Sequence, residues 1–233
     1  MKSQPTEQLK EANSEEEEGH YLGSKKHKKT NYPISNKILI FITIFTSLLS
    51  IYLIYKLYTK NNYSSFLELS ESRFSVREYS QKPVEKEKID KLLRVAQLSP
   101  TAANKQPQKI YIITKEEHKQ QLTTVTKYTF NATLFFLVCS DKTKAWKHRT
   151  EEVYSTEIDG SIVAENIILE AHDLGLGSVI VRSFQTEKLK QLFGIPENMV
   201  PIALLPIGYP KEGTQPSEKH FERKELKEMV EYL

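Results

Sequence analysis

The chain has almost no cysteine: Cys139 stands alone among 233 residues. One thiol cannot close an intrachain disulfide, and a cysteine-based metal site within one chain is excluded with it. Cys139 ends an apolar run, 134–138, that reads as a buried strand, and a buried thiol away from positive charge stays protonated and inert. The lack of disulfides fits a reducing compartment. An excess of charge of one sign is also missing. The 33 basic and 30 acidic residues leave a net charge of +3, and no helix-turn-helix or zinc-finger spacing accompanies it, so no nucleic-acid partner is expected. No Ser-His-Asp set, metal-ligand cluster or internal repeat stands out.

Long hydrophobic runs are scarce as well, with one exception. Residues 38–55 carry no charge and lie between Lys37 and Lys56. At about 1.5 Å per residue such a helix just spans a hydrocarbon layer of about 30 Å. A buried core helix is one alternative. A cleaved signal peptide is the other, but the segment before the run is too long and no small-x-small site follows it. The expectation is a transmembrane anchor over 36–58. Residues 1–35 are polar, with an acidic run at 15–18 and a basic run around Lys25, Lys26, Lys28 and Lys29. Few of them suit a core, so a disordered tail is expected.

Residues 66–233 have mixed character. Ile89, Leu92, Leu93 and Ala96 recur at helical spacing. Residues 109–113, 134–139, 177–181 and 202–207 read as strands, 158–174 as a long apolar helix and 187–193 as a short one. Alternating strands and helices point to a layered α/β or α+β domain.

Four segments carry candidate chemistry. In the first, Arg73 and Arg77 flank Ser75. Two guanidinium forks four residues apart can converge on one phosphate, although on spacing alone a solvated charged turn is the commoner outcome. The second runs Ser99-Pro100-Thr101-Ala102-Ala103-Asn104-Lys105-Gln106-Pro107. Its small residues let a flat ligand approach the backbone, and Asn104 and Gln106 each offer a donor and an acceptor; a polar loop closed by two prolines is the alternative. The third is Gly175-Leu176-Gly177-Ser178, leading to Arg182 and Ser183. It ends a helix and begins a strand, the reverse of the dinucleotide fingerprint. The fourth is Leu205-Pro206-Ile207-Gly208-Tyr209-Pro210, with Arg223 and Lys224 beyond it.

In this order the four segments resemble the FMN-dependent nitroreductase family over nearly all of 66–233. The resemblance implies an α+β fold with a central mixed sheet flanked by helices. It implies an intertwined homodimer with FMN at the interface, reduced by NADH or NADPH and reoxidised by a small flat acceptor such as a nitroaromatic, a quinone or a flavin. It assigns Arg73, Phe74, Ser75 and Arg77 to the FMN phosphate and ribityl chain, with Arg223 closing from the C-terminal tail. It lays Pro100, Thr101 and Ala102 along the flavin and Asn104 at its polar edge, with Arg182 and Ser183 near the reactive face. Where family members often carry an aromatic residue after the Gln-Pro pair, this chain has Gln108. Flavin chemistry needs no protein nucleophile, because the cofactor carries the electrons. His148 reads as a surface histidine. The helix at 158–174, with Gly160 allowing close approach, is expected to serve both core and dimer.

Two other functions compete with this reading. A dehalogenase similar to iodotyrosine deiodinase shares the fold and an anchor, but its long insertion before the second core strand is absent here. A membrane-tethered flavin-binding protein without activity is the other. For topology, five lysines precede the span and Lys56 and Lys60 follow it, which places the domain away from the cytosol. The supply of NADH or NADPH and the lone thiol favour the cytosol, and a cytosolic domain is the expectation. Asn62 and Asn131 sit in glycosylation sequons that would report the opposite topology.

Overall fold

The structure, a computed structural model, describes residues 35–58, 63 and 65–233. The expected disordered tail lies, apart from Ser35, outside the described residues. The chain divides between Tyr55 and Lys56 into two units. The first holds all but the last three residues of helix α1 (Asn36–Tyr58), which begins on an exposed turn at Ser35. Its large apolar residues from Ile38 to Tyr55 are all exposed. None of this run is buried within its unit, as a core helix would be. By length and composition α1 is able to cross a membrane.

The second unit holds α2 (Phe66–Ser72), α3 (Lys86–Leu98), β1 (Gln108–Ile113), α4 (Glu116–Leu122), β2 (Leu134–Asp141), α5 (Thr156–Asp173), β3 (Gly177–Ser178), α6 (Thr186–Phe193) and β4 (Met199–Gly208). The sheet order is β1-β2-β4-β3. Every pairing between these strands is antiparallel. The expected mixed sheet is thus corrected: its parallel element is one bridge, Ser75 to Ser178, beyond the β3 edge.

Sequence pattern explains the layering. All eight residues of β2 are buried, so the strand reads as an unbroken apolar run rather than an alternation. Phe135, Leu137 and Cys139 face one core with Leu122, Leu189 and Leu204. Leu134, Phe136 and Val138 face the other, against Leu92 and Ala96 of α3 and Val163, Ala164 and Ile167 of α5. Burial pushes the Cys139 thiol up to about 12, as an inert core thiol requires.

The long helix is mainly a core helix. Gly160 packs on β4, where a Cβ would come 2.6 Å from Ile202 Cγ1. Its apolar positions are spent within the chain, with Ile158 left exposed. Further exposed apolar residues are Phe66, Leu67 and Leu98 on α2 and α3, and Phe221, Leu226, Met229 and Tyr232 at the C-terminus. Between β1 and β2 the one helix is the short α4, so no long substrate-clamping insertion is present there.

Candidate functional site

The arginine segment is strapped to the β3 edge of the sheet. Ser75 bridges Ser178, and the Val76 N–H donates to Ser178 O at 3.0 Å. Gly177 makes this approach possible, since a Cβ there would lie 2.6–2.8 Å from three carbons of Val76. At the far end the Tyr79 hydroxyl donates to Val76 O (2.9 Å) and Pro206 O (3.1 Å), and burial pushes this phenol up. Val76 and Tyr79 are buried while Arg77 is exposed. The Arg77 Nη1 donates to Ser75 O at 3.2 Å. Arg77 and Ser75 line a hollow of about 340 Å³ with Lys211, Thr214 and Ser217. Phe74 is half-buried between His172, in the last turn of α5, and His220. Burial, then the Arg73 charge, holds the His172 imidazole below its ordinary value, and Asp173 pulls the other way.

The small-residue loop docks on the opposite end of α5. The Ala102 N–H donates to Asp159 Oδ1 at 2.8 Å, and Asn166 Nδ2 donates to Ser99 Oγ at 2.8 Å. Asp159 is 1 % exposed and its Oδ2 also accepts from Ser155 Oγ at 2.6 Å. The Gln106 N–H donates to Thr101 Oγ1 at 3.0 Å. Held this way, Ala103, Asn104 and Gln106 adopt φ of 49°, 53° and 48°. Left-handed backbone at non-glycine residues costs of order 1–3 kcal/mol each and persists where the surroundings impose it, as at ligand clamps. Pro100, Ala103 and Asn104 are exposed, and Thr101 and Ala102 half-buried. Gln108, which follows this loop, buries its Oε1 without a hydrogen-bond partner in the structure.

Arg182 and Ser183 follow β3. Their hollow, about 230 Å³, is also lined by Arg77, Tyr128 and Phe130. Arg182 reaches Glu157 in the first turn of α5 at 3.5 Å. Arg223 is exposed and its Nη1 donates to Glu222 O at 2.7 Å. Among the described residues no hydrogen bond links Arg223 to the arginine segment. What meets the arginine segment instead is His220, three residues earlier, 6.3 Å from Phe74 between ring centroids. His148 lies half-buried against Trp146 and beside Thr150, in the connection between β2 and α5. No group of three or more metal-capable side chains occurs among the described residues.

The expected site residues therefore form two groups within one chain. Arg73, Phe74, Ser75, Arg77, Arg182 and Ser183 flank the β3 edge. Pro100, Thr101, Ala102 and Asn104 precede β1 at the other edge. Ser75 aligns through Ser178 with Ile207, whereas Gln108 aligns through Ser140 with Val200. That is seven residues along the sheet and four strand spacings across it, roughly 30 Å on the diagonal. Asp159, Asn166, Tyr128 and Phe130 were not flagged by the sequence. The available signal was a carboxylate beside Gly160 at the start of the long helix and two aromatic residues beside a sequon.

These features define a class: an α+β domain with guanidinium groups along one sheet edge and a strained small-residue loop diagonally opposite. The chain belongs to the Nitroreductase family, whose model matches residues 71–134 and 126–209. A Methanothermobacter thermautotrophicus protein named as an NADH dehydrogenase/NAD(P)H nitroreductase is 32% identical over 154 residues, 63% of this chain and 78% of the relative. A nitroreductase-family structure from Clostridium difficile is 38% identical, with a TM-score of 0.68 over 72% of this chain and 98% of that one. A nitroreductase from Exiguobacterium sibiricum in complex with FMN shares the fold at 20% identity, with a TM-score of 0.65 over 75% of this chain and all of that one.

Proposed function

We propose that the domain is an NAD(P)H-dependent, FMN-containing oxidoreductase that reduces a small flat acceptor such as a nitroaromatic, a quinone or a flavin. Family membership supports the class of enzyme. The observation that carries the cofactor reading is the strained, small-residue loop together with the arginine segment. FMN has a flat ring with a polar edge at one end and a phosphate at the other, and those two elements match its two ends. Arg73, Ser75 and Arg77 would hold the phosphate and ribityl chain as charge-assisted donors, with Arg223 added from the tail. Thr101, Ala102 and Asn104 would line the ring. Bound FMN supplies a two-electron carrier that takes hydride from a nicotinamide and passes it on.

The arginine segment meets the last turn of α5 and the loop meets its first turn, and this separation, with the apolar arm below, leads us to infer a site completed by a second copy. The exposed Phe221, Leu226, Met229 and Tyr232 support a homodimer, because an apolar arm without a partner is the expected surface of an intertwined interface. Helix α1 is read as a single-pass anchor with the domain in the cytosol, where the donor is supplied. Asn131 is exposed on its turn, so it would be open to glycosylation in the opposite topology.

The test is direct. Residues 60–233, purified without α1, carry FMN in equal number to chains and oxidise NADH or NADPH when a quinone is added. A colourless protein that takes up no FMN overturns the cofactor reading, and a flavin-loaded monomer overturns the shared site.

A further inference from the structure

We propose that the face formed by α2, the end of α3 and the last turns of α5 docks on the lipid bilayer, with Phe66, Leu67 and Leu98 entering the boundary between headgroups and acyl chains. It rests on the reading of α1 as a single-pass anchor and uses no residue assigned to FMN.

The face is apolar and open. Phe66, Leu67 and Leu98 are 71%, 65% and 62% exposed. Helix α2 buries no residue, and its start is held by Ser65, whose Oγ accepts from the Glu68 N–H at 3.2 Å. Phe66 and Leu98 line a hollow of about 300 Å³ together with Leu69, Val95 and Leu169. Glu170 and Asp173 line it too. Two carboxylates offer lipid phosphate no partner, so the contact is apolar insertion and not charge attraction.

The tether selects a bilayer as the partner. The Tyr63 ring stacks on His172, 5.5 Å between centroids at 27°, in the last turn of α5 and next to Asp173. Tyr55 ends the apolar stretch of α1, and the helix runs on to Tyr58. Three helical steps and five extended ones then reach Tyr63, at most about 23 Å. A domain of this length measures roughly 40 Å across. The tether is shorter than the domain is wide, so the end of α5 that lines the hollow stays in the half nearest the membrane. Exposed phenylalanine and leucine held at that distance leave water for the interface.

The experiment uses the full chain in phosphatidylcholine vesicles. Trp146, the one tryptophan, is the internal control: its carbonyl accepts from the Ser155 N–H at 2.9 Å, at the other end of α5 and roughly 25 Å from His172. Leu67→Trp in a Trp146→Phe background moves the indole to the proposed face. At a depth of about 5–10 Å it lies near the top of the acyl chains, so lipid brominated there lowers its emission at least about twofold. Wild-type emission is the same in brominated and plain lipid. Adding Phe66→Asp and Leu98→Asp abolishes the quenching, opens the indole to aqueous iodide and leaves the chain in the vesicles. An indole at 67 that is open to iodide and blind to bromine overturns the docking face and leaves the anchor standing. An indole shielded from both is covered by protein, such as the C-terminal arm of a second copy, and overturns the docking face equally. Quenching of Trp146 to the same extent overturns it as well, since no face is then preferred. Chains that alkaline carbonate strips from the vesicles overturn the anchor and the docking face together.

Discussion

Substituting Gly177 with alanine tests how the arginine segment is attached. The added methyl would lie 2.6, 2.7 and 2.8 Å from Val76 Cγ2, Cβ and Cγ1. Carbon contacts settle near 3.5–4.0 Å, so Val76 must retreat by about 1 Å. It cannot do so by rotating, because its own Cβ is among the crowded atoms. The whole segment must lift, straining the hydrogen bond from Val76 N–H to Ser178 O at 3.0 Å. Val76 is 2% exposed, so no empty space receives it. Overpacking of this kind costs about 1–3 kcal/mol. For a domain of this size, that is a melting temperature lower by about 3–10 °C. Because Arg73, Ser75 and Arg77 ride on the segment, FMN affinity falls too, by about tenfold if one charge-assisted contact of about 1.5 kcal/mol is lost. Val76→Ala removes two of the three crowded carbons. The double variant is then more stable than the two single losses added together, by about 0.5–3 kcal/mol of coupling. Gly194→Ala is the control: at φ +60° with nothing within 4 Å of its added Cβ, it strains the end of α6 and leaves FMN binding alone. Thermal melts and FMN titrations of residues 60–233 decide the matter. Strictly additive losses for Gly177→Ala and Val76→Ala would refute the reasoning, as would Gly177→Ala melting with wild type.

Arg77→Ala weakens FMN binding more than Asn104→Ala, since a charge-assisted bond is worth about 1.5–3 kcal/mol against about 1 for a neutral one; equal losses in titrations of the apo-protein would remove Arg77 from the phosphate. His172 is held below its ordinary value by burial and then by Arg73. Its neutral form favours folding above about pH 6.5, and that contribution fades as pH falls through this value toward the lower folded one. The melting-temperature advantage of wild type over His172→Asn therefore narrows between pH 7 and pH 5, and a constant gap counts against it. Leu226→Asp with Met229→Asp, both exposed on the C-terminal arm, yields monomers that release FMN; sedimentation of a flavin-loaded monomer is the contrary result. Mixing Arg73→Ala chains with Asn104→Ala chains recovers FMN binding above that of either alone, because a mixed dimer owns one unaltered site.

Periodicity located most of the frame, because burial itself creates the periodicity. The strands read at 109–113 and 134–139 are Gln108–Ile113 and Leu134–Asp141. The helices read at 158–174 and 187–193 are Thr156–Asp173 and Thr186–Phe193. The strand read at 177–181 is shorter: only Gly177–Ser178 pairs continuously, Ile180 turns outward, and contact resumes at the single bridge from Val181 to Leu204. Helix α4 escaped notice because it is polar and buries only Leu122. Helix α2 escaped because it buries nothing, leaving no pattern to read. In the site, Arg73 and Ala102 were legible as local motifs. What anchors them was not, since Ala102 meets Asp159 and Ser72 meets His172 at separations of 57 and 100 residues, where neither partner leaves a mark on the other's neighbourhood. The place of Arg223 was not legible for a related reason: its distance from Arg73 depends on the path of the tail, which spacing does not encode.

One helix sets the geometry that these contacts share. The first turn of α5 carries Glu157, which reaches Arg182, and Asp159, which holds the loop at Ala102. Two residues apart on a helix face nearly opposite ways, so the two partners are kept on different sides of α5. Its last turn carries His172, which meets Ser72 and Phe74. From Asp159 to His172 is thirteen residues, roughly 20 Å at about 1.5 Å per residue. Gly160 against Ile202 fixes α5 on the sheet, so this spacing is rigid. In the proposed dimer, a ligand that needs both the arginine segment and the loop takes them from different copies. A twofold axis does this twice, bringing the arginine segment of each chain to the loop of the other. The two sites of the proposed dimer are then equivalent, and each is only as well formed as the interface. In this arrangement a substitution that loosens the C-terminal arm lowers flavin occupancy at both sites together, although the arm's apolar residues lie outside every flavin contact assigned above.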